Sequence, residues 1–198
     1  MYPHFDKCGT MNDSLRPTLW RTCRALANKH RLEILRVLDQ DGPQTVSKMR
    51  DRLGQPISCV SENLRALNAR GLLTAKRQGR EVRYELGADP TVPGAKELLQ
   101  AVLETLRLRE NGDTYAFKLL TALTHYRRHQ ILFVLTTESL PFGELCQRSD
   151  MSRQALQRHI AKLHERGFIV HKARAWHVAN AKSPLHQCLL SLAAQPPS

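Results

Sequence analysis

Four polar side chains near residue 155 have the chemistry needed to recognise nucleic-acid bases. In "SRQALQRHIAKLHERG", Ser152 is a good N-cap, so a helix is predicted to begin there. Arg153 and Gln154 follow in its first turn, with Gln157 and Arg158 one turn later. Positions 154, 157 and 158 share one helix face. Arginine pairs with guanine and glutamine with adenine through two hydrogen bonds, which predicts a base-reading surface; the alternative is a solvated polar face.

A second candidate surface is basic and surrounds a glycine. The segment "LLTAKRQGREVRYEL" alternates in polarity on both sides of Gln78-Gly79, which predicts a β-hairpin. Arginine at a hairpin tip suits the DNA minor groove, where the electrostatic potential is most negative. The basic residues clustered about this turn are Lys76, Arg77, Arg80 and Arg83.

The chain contains one pattern twice. "ENLRALNARGLL" at 62–73 and "RHIAKLHERGFI" at 158–169 align with a constant offset of 96, which pairs Arg70-Gly71 with Arg166-Gly167. So long a period does not fit a solenoid and indicates two whole domains. In the first copy, the positions that match the base-reading set are chemically weaker. They hold Ser58, Ser61 and Glu62, with Arg65 a turn later.

Net charge indicates a polyanionic partner. The 198 residues include 30 Lys+Arg and 18 Asp+Glu, a formal charge of +12. Residues 1–92 hold 16 basic and 10 acidic side chains, and 93–198 hold 14 and 8, so each half carries +6. Two equally basic halves favour nucleic acid that meets both, against the plainer alternative of a soluble protein with a high pI.

Several classes of protein and site are not expected. The five cysteines include no C-x-x-C, which argues against a disulfide framework or zinc knuckle and for a reducing cytoplasm. We expect no membrane span, no signal peptide and a flexible tail over residues 1–13. Without a catalytic motif, neither an enzyme nor a cofactor is predicted. Cys23 and Cys188 lie on apolar stripes typical of a core, whereas oxidation of Cys59, within the first copy's fourth helix, could weaken DNA binding.

The periodicity predicts the same order of elements in each half: helix, helix, short helix, turn, helix and hairpin. In the first half, Gly71 is expected to stop the fourth helix, and "GADPTVPG" is expected to form a boundary. A helix over "AKELLQAVLETLRLR" follows and is predicted to stop at Asn111-Gly112. The second half has a shorter hairpin without glycine, "FIVHKARAWHV", and a closing helix over "SPLHQCLLSLAA".

This order and several motifs resemble the ArsR type of bacterial winged helix-turn-helix regulator, twice in tandem. The resemblance covers roughly residues 15–195. It implies a mainly α fold with small β-hairpin wings, and domains at 14–110 and 111–198 whose first and last helices form dimer interfaces. An internal pseudo-dimer and a homodimer both stay open. The motifs are "HRLEILRVL" (30–38), "LGQPISCVSENLRALNARGLL" (53–73), "RQGREVRYEL" (77–86), "RRHQILFVL" (127–135) and "MSRQALQRHIAKLHERGFI" (151–169).

The resemblance implies sequence-specific binding of double-stranded DNA and regulation of transcription, with repression favoured. The rivals are a non-specific architectural DNA binder and a winged-helix module that binds proteins. The third helix lacks the Cys-x-Cys of metal-sensing relatives, so no metal is expected, and any effector is left open. His125 and His129 could bind a metal, but an exposed pair facing phosphate is favoured. The residues expected at backbone phosphates are Lys29, Arg31, Arg127, Arg128 and Lys172.

Overall fold

The computed structural model describes residues 18–197, and it confirms a mainly helical fold with two winged helix-turn-helix units. The tail expected over residues 1–13 lies outside the described residues. The first half consists of α1 (Leu19–Leu26), α2 (Lys29–Asp41), β1 (Gln44–Thr45), α3 (Val46–Leu53), α4 (Ile57–Asn68), β2 (Leu73–Gln78), β3 (Glu81–Leu86) and α5 (Ala95–Leu108). The second half consists of α6 (Gly112–Leu120), a 3-10 turn (Thr121–Leu123), α7 (Tyr126–Thr137), α8 (Phe142–Arg148), α9 (Arg153–Glu165), β4 (Ile169–Lys172), β5 (Ala175–Val178) and α10 (Pro184–Ala193).

Side-chain caps mark where several of the helices begin, among them α2 and α9. Ser152 accepts a hydrogen bond from the Ala155 amide at 3.3 Å, which confirms the predicted start of α9. Asn28 caps α2 in the same way, through the Arg31 amide at 3.2 Å. Gly71, with φ of 65°, lies in the left-handed turn that follows α4, as its sequence position predicts.

The predicted role of Asn111-Gly112 is wrong. Helix α5 already ends at Leu108, and Asn111 instead occupies the N-cap position of α6. Gly112 is buried where α6 crosses α5: a Cβ added there would overlap the Thr105 carbonyl oxygen and lie 2.9 Å from Leu106 Cα. This glycine is therefore needed for the close approach of two helices rather than for a helix stop.

The two wings differ in size. In the first, β1 adds to the hairpin, giving an antiparallel sheet of order β1-β3-β2 in which Gln44 pairs with Tyr84. The second wing is the pair β4-β5, where a single bridge between Leu140 and Trp176 takes the place of the third strand. The shorter second hairpin predicted from the sequence is confirmed.

One continuous core joins the two halves. Helix α5 packs against α6 and α10, α2 packs against α6, and α1 packs against the 3-10 turn. Leu99 and Leu103 of α5 and Leu185 and Leu189 of α10 are buried in a single cluster of apolar side chains that runs through both halves. Gly94 has its Cα so close to α10 that an added Cβ would lie 2.5 Å from Leu192 Cδ2. Among residues 18–197, no helix is both long and apolar enough to cross a bilayer.

Candidate nucleic-acid interface

Helix α9 presents the predicted reading residues on its outer face. Arg153, Gln154, Gln157 and Arg158 are all exposed, while Leu156, Ile160 and Leu163 anchor the opposite face in the core. The Arg153 guanidinium carbon lies 5.3 Å from the centre of the Phe142 ring, and Arg158 Nε donates to the Gln154 carbonyl at 3.4 Å. The geometry brings these four side chains together; their contact with bases stays a prediction.

Helix α4 has the equivalent position and a different chemistry. Ser58, Glu62 and Arg65 are exposed, and the half-buried Ser61 hydroxyl accepts from Arg65 Nη2 at 2.8 Å. Ile57, at the first turn of α4, is 49% exposed, although a large aliphatic side chain is usually buried. Sequence reasoning did not select Ile57; the available signal was that it aligns, at the offset of 96, with Arg153 of α9.

In the first wing, the basic residues differ in exposure and in the partners they contact. Arg77 and Arg80 are exposed beside the turn at Gly79, and Arg77 Nε donates to the Gly79 carbonyl at 3.2 Å. Lys76 Nζ forms an ion pair with Glu85 at 2.5 Å. Arg83 is only half exposed, and its Nε is buried. The cationic tip is therefore formed by Arg77 and Arg80.

The second wing has an arginine that sequence reasoning missed. Its turn consists of Ala173 and Arg174, with φ values of 47° and 64°, and both side chains are exposed. Positive φ at both central residues is the pattern of a type I′ turn, which normally favours glycine or asparagine. Lys172, predicted at phosphate, is exposed next to this turn. The signal available for Arg174 was its place at the tip of a hairpin, corresponding to Arg80.

Two arginines expected at phosphates instead hold the fold together. Arg31 Nη1 donates to the Ala25 carbonyl at 3.0 Å, and Arg31 Nε donates to Asn63 Oδ1 at 2.9 Å. Arg128, 97 positions later, donates through Nε to the carbonyl of Ala122, which is itself 97 positions after Ala25, at 2.5 Å. Burial lowers the pKa of both arginines. The phosphate role predicted for this pair is therefore replaced by a structural one, whereas Lys29 is exposed.

The two histidines expected to form an exposed pair do not do so. His129 is buried, and its Nε2 lies 3.1 Å from the Gln195 carbonyl. His125 caps α7 by accepting from the Arg127 amide at 3.1 Å, and its ring lies 4.8 Å from that of His159 on α9. Burial, followed by the charges of His125 and nearby arginines, lowers the pKa of His159 to about 4. Within residues 18–197 no three potential metal ligands come together.

The cysteines at 23 and 188 have the core environment that their sequence pattern predicts. Cys23 is fully buried and Cys188 half-buried; burial raises the pKa of Cys23 and raises that of Cys188 to about 11. Cys59 is half-buried on α4, 3.7 Å from Gln55 Oε1 and 3.5 Å from Asn63 Nδ2. Its sulfur therefore lies between Gln55 and Asn63 near the start of α4, and not among the exposed reading residues.

Comparisons with known proteins match each half separately. Residues 26–74 match a family model described as a helix-turn-helix domain, and residues 124–175 match the model of the MarR family. The chain is 38% identical over 64 residues to the transcriptional activator HlyU of Vibrio cholerae serotype O1, covering 32% of this chain and 59% of that protein. It is 40% identical over 65 residues to the HTH-type transcriptional regulator NmtR of Mycobacterium tuberculosis, covering 33% and 53%.

The chain thus spans little more than half the length of these curated relatives. A solved structure of HlyU from Vibrio cholerae aligns with 42% of this chain and 94% of that one, at 28% identity and a TM-score of 0.36.

Proposed function

We propose that this protein binds double-stranded DNA in a sequence-specific manner and regulates transcription. The observation that carries this proposal is the presence, on one continuous core, of two outward-facing helices, α4 and α9, each followed by a hairpin with an exposed arginine at its tip. Helices of this kind fit the major groove and the adjacent hairpins reach the backbone or minor groove. The relatives HlyU and NmtR, which match over about 65 residues, are both named as transcriptional regulators.

On this proposal, residues 14–110 and 111–198 are two copies of one ArsR-type domain. Support comes from a structural detail that both copies share: an arginine early in the second helix of each, Arg31 or Arg128, donates to the carbonyl of an alanine, Ala25 or Ala122, near the end of the helical segment before it. The match of the second half to the MarR family is compatible with a copy that has diverged further.

The two copies form an internal pseudo-dimer on this proposal. Contacts of α5 with α10 and of α2 with α6 bury the apolar stripes that a separate subunit would otherwise cover. Light scattering at micromolar concentration tests this arrangement: a mass near 22.6 kDa is expected, and twice that mass would indicate a homodimer instead.

Base recognition is assigned mainly to α9. Gln154 and Arg158 are exposed, share a face and carry bidentate donors or acceptors, whereas Ser58 and Glu62 of α4 offer a short hydroxyl and an acid. Ile57 provides α4 with an apolar contact suited to a thymine methyl group. The exposed tips of the wings supply positive charge to the minor groove or phosphates.

Selection of bound duplexes from a random library, followed by titration across salt concentrations, tests this function. The selected duplex is expected to bind at least about a thousandfold more tightly than a scrambled duplex of equal length and composition. Affinity for both duplexes should fall steeply with salt because counterions are released from the phosphates. Equal affinities would indicate an architectural DNA binder, and a flat salt response would contradict DNA binding altogether.

The direction of regulation is proposed as repression, in which the bound protein occludes a promoter. A promoter containing the selected site, fused to a reporter, is expected to lose expression when the protein is present. Moving the site to a position well upstream of the promoter is the control. Increased expression from the overlapping site would indicate an activator, the role that the name of HlyU states for that relative.

A further inference from the structure

The first residues of α8 and α9 contact each other beside the proposed base-reading residues Gln154 and Arg158. Phe142 begins α8 and Arg153 begins α9, and the Arg153 guanidinium carbon lies 5.3 Å from the centre of the Phe142 ring. A cation within about 6 Å of a ring centre is attracted by the ring face. The ring and the cation come from different helices, so their contact links the orientation of the Arg153 side chain to α8.

Of these two side chains, Phe142 is the one fixed by the fold. Phe142 is half-buried and packs against the apolar core, whereas Arg153 is exposed on α9. A long exposed arginine samples many rotamers, and a cation without a fixed position is attracted to any nearby phosphate. Contact with the face of an anchored ring restricts this sampling. It leaves the guanidinium N–H groups available, because the attraction to the ring does not require them as hydrogen-bond donors.

The first copy has a different pair of residues at the same two positions. At the offset of 96, Phe142 aligns with Val46, which begins α3, and Arg153 aligns with Ile57, which begins α4. Val46 is half-buried and Ile57 is 49% exposed. Both copies therefore place the pair at the first residues of two consecutive helices, but the first copy has two aliphatic side chains where the second has a ring and a cation.

The chemistry of each pair suits a different base. A guanidinium with available N–H groups donates two hydrogen bonds to guanine O6 and N7, whereas an exposed aliphatic side chain suits the methyl group of thymine. We propose that Phe142 is a positioning residue that holds Arg153 toward guanine, so that these two residues together determine one base pair of the α9 half-site. This inference rests on the proposed function, because it requires α9 to enter the major groove of DNA.

Removal of the ring tests this positioning role. Binding profiles over single-base variants of the selected duplex are measured for the full chain with Arg153→Ala, Phe142→Leu or Phe142→Tyr. Arg153→Ala should remove a preference for guanine at one base pair. Phe142→Leu should reduce the preference at that same base pair by about two- to fivefold, the loss expected when an exposed cation–π contact is removed. Phe142→Tyr keeps an aromatic face and should retain the preference.

A double-mutant cycle separates positioning from a general effect on the fold. In the Arg153→Ala background, Phe142→Leu should have no further effect on base preference, because the cation on which the ring acts is absent. The matched control is Val46→Ala, which shortens the side chain at the equivalent position of the first copy. It should leave the preference at the base pair assigned to Arg153 unchanged. Thermal unfolding of each variant verifies that the fold is retained.

Three results would overturn the inference: a guanine preference that Phe142→Leu leaves unchanged, equal losses with Phe142→Leu and Phe142→Tyr, or a further loss with Phe142→Leu when Arg153 is already absent. A preferred duplex whose base preferences all survive Arg153→Ala would also overturn it, while the proposed function would stand. Failure of the proposed function is a different result, since selection from the random library would then yield no preferred duplex and the inference would fail with it.

Discussion

Replacing Gly112 by alanine tests the crossing at which the chain passes from its first half to its second. Gly112 begins α6 and lies against the backbone of α5, where an added Cβ would overlap the Thr105 carbonyl oxygen and lie 2.9 Å from Leu106 Cα. These are backbone atoms, so no side-chain rotation can relieve the overlap. The two helices would have to move apart, and the packing between the halves would loosen with them.

The expected magnitude follows from two opposing contributions. Alanine is favoured over glycine within a helix by about 0.5–1 kcal/mol, whereas overpacking a tight contact costs about 1–3 kcal/mol. The difference between them is about 0–2.5 kcal/mol, and because the overlap is with backbone atoms we expect Gly112→Ala to lower the free energy of unfolding by about 1–2 kcal/mol. In a chain of this size, each kcal/mol corresponds to about 2–4 °C in Tm, so Tm should fall by about 2–8 °C.

Gly143→Ala is the matched control, since it makes the same chemical change within α8. An added Cβ there would have no neighbour within 4 Å, and the residue is exposed, so this variant should be stabilised by up to about 1 kcal/mol. Urea denaturation, followed by circular dichroism, measures the free energy of unfolding of both variants. A Gly112→Ala variant as stable as Gly143→Ala would refute the close crossing of α5 and α6.

Three further predictions concern recognition, packing and pH. Gln154→Ala or Arg158→Ala should flatten base preference in one half of the selected site, whereas Arg80→Ala should weaken binding to all sequences alike. Binding profiles of each variant over single-base changes in the site measure this difference, and base preferences left intact by Gln154→Ala and Arg158→Ala would contradict the assignment of base recognition to α9. Arg128→Met should lower the free energy of unfolding by about 1–3 kcal/mol, because buried hydrogen bonds are lost. It should leave the salt dependence of DNA binding unchanged, and a weaker dependence on salt would show that Arg128 contacts phosphate. Burial and nearby cations lower the pKa of His159 to about 4. Between pH values of about 6.5 and 4 the unfolded chain therefore binds more protons than the folded chain, and the free energy of unfolding falls as pH falls. His159→Gln should reduce this dependence of stability on pH, and an unchanged dependence in denaturation experiments would refute the assignment.

Periodic patterns predicted the helices and much of the core because burial of one face leaves a direct mark on the sequence. Leu98, Val102 and Leu106 share one face of the helix predicted over "AKELLQAVLETLRLR", and all three are buried, as are Leu64 and Leu67 of α4. The strand β1 left no such mark, since two residues are too few to show alternation. Asn111-Gly112 was misassigned because glycine serves both at helix ends and at close helix contacts, and only the fold separates the two.

The candidate interface was predictable where a residue type and a helical position coincide, as for Gln154 and Arg158. It was not predictable where a charged side chain forms hydrogen bonds within the fold. Arg31 and Arg128 have the composition of phosphate contacts, but their partners are backbone carbonyls that sequence spacing does not reveal. Ile57 and Arg174 were not predicted because the sequence does not show their exposure. An apolar residue in a helix is ordinarily expected to be buried, and a single cation in a short hairpin does not by itself indicate a binding site.

The connection between α5 and α6 consists of only three residues, 109–111, and the two halves are not identical. On the proposed function, this covalent link removes subunit association from the binding equilibrium, so occupancy of a DNA site would rise in simple proportion to dilute protein rather than with its square. It also fixes which reading helix meets which half-site. An operator read by two unlike helices in a set order need not be a palindrome, and it has a direction, so inverting it relative to a promoter would invert the bound protein as well.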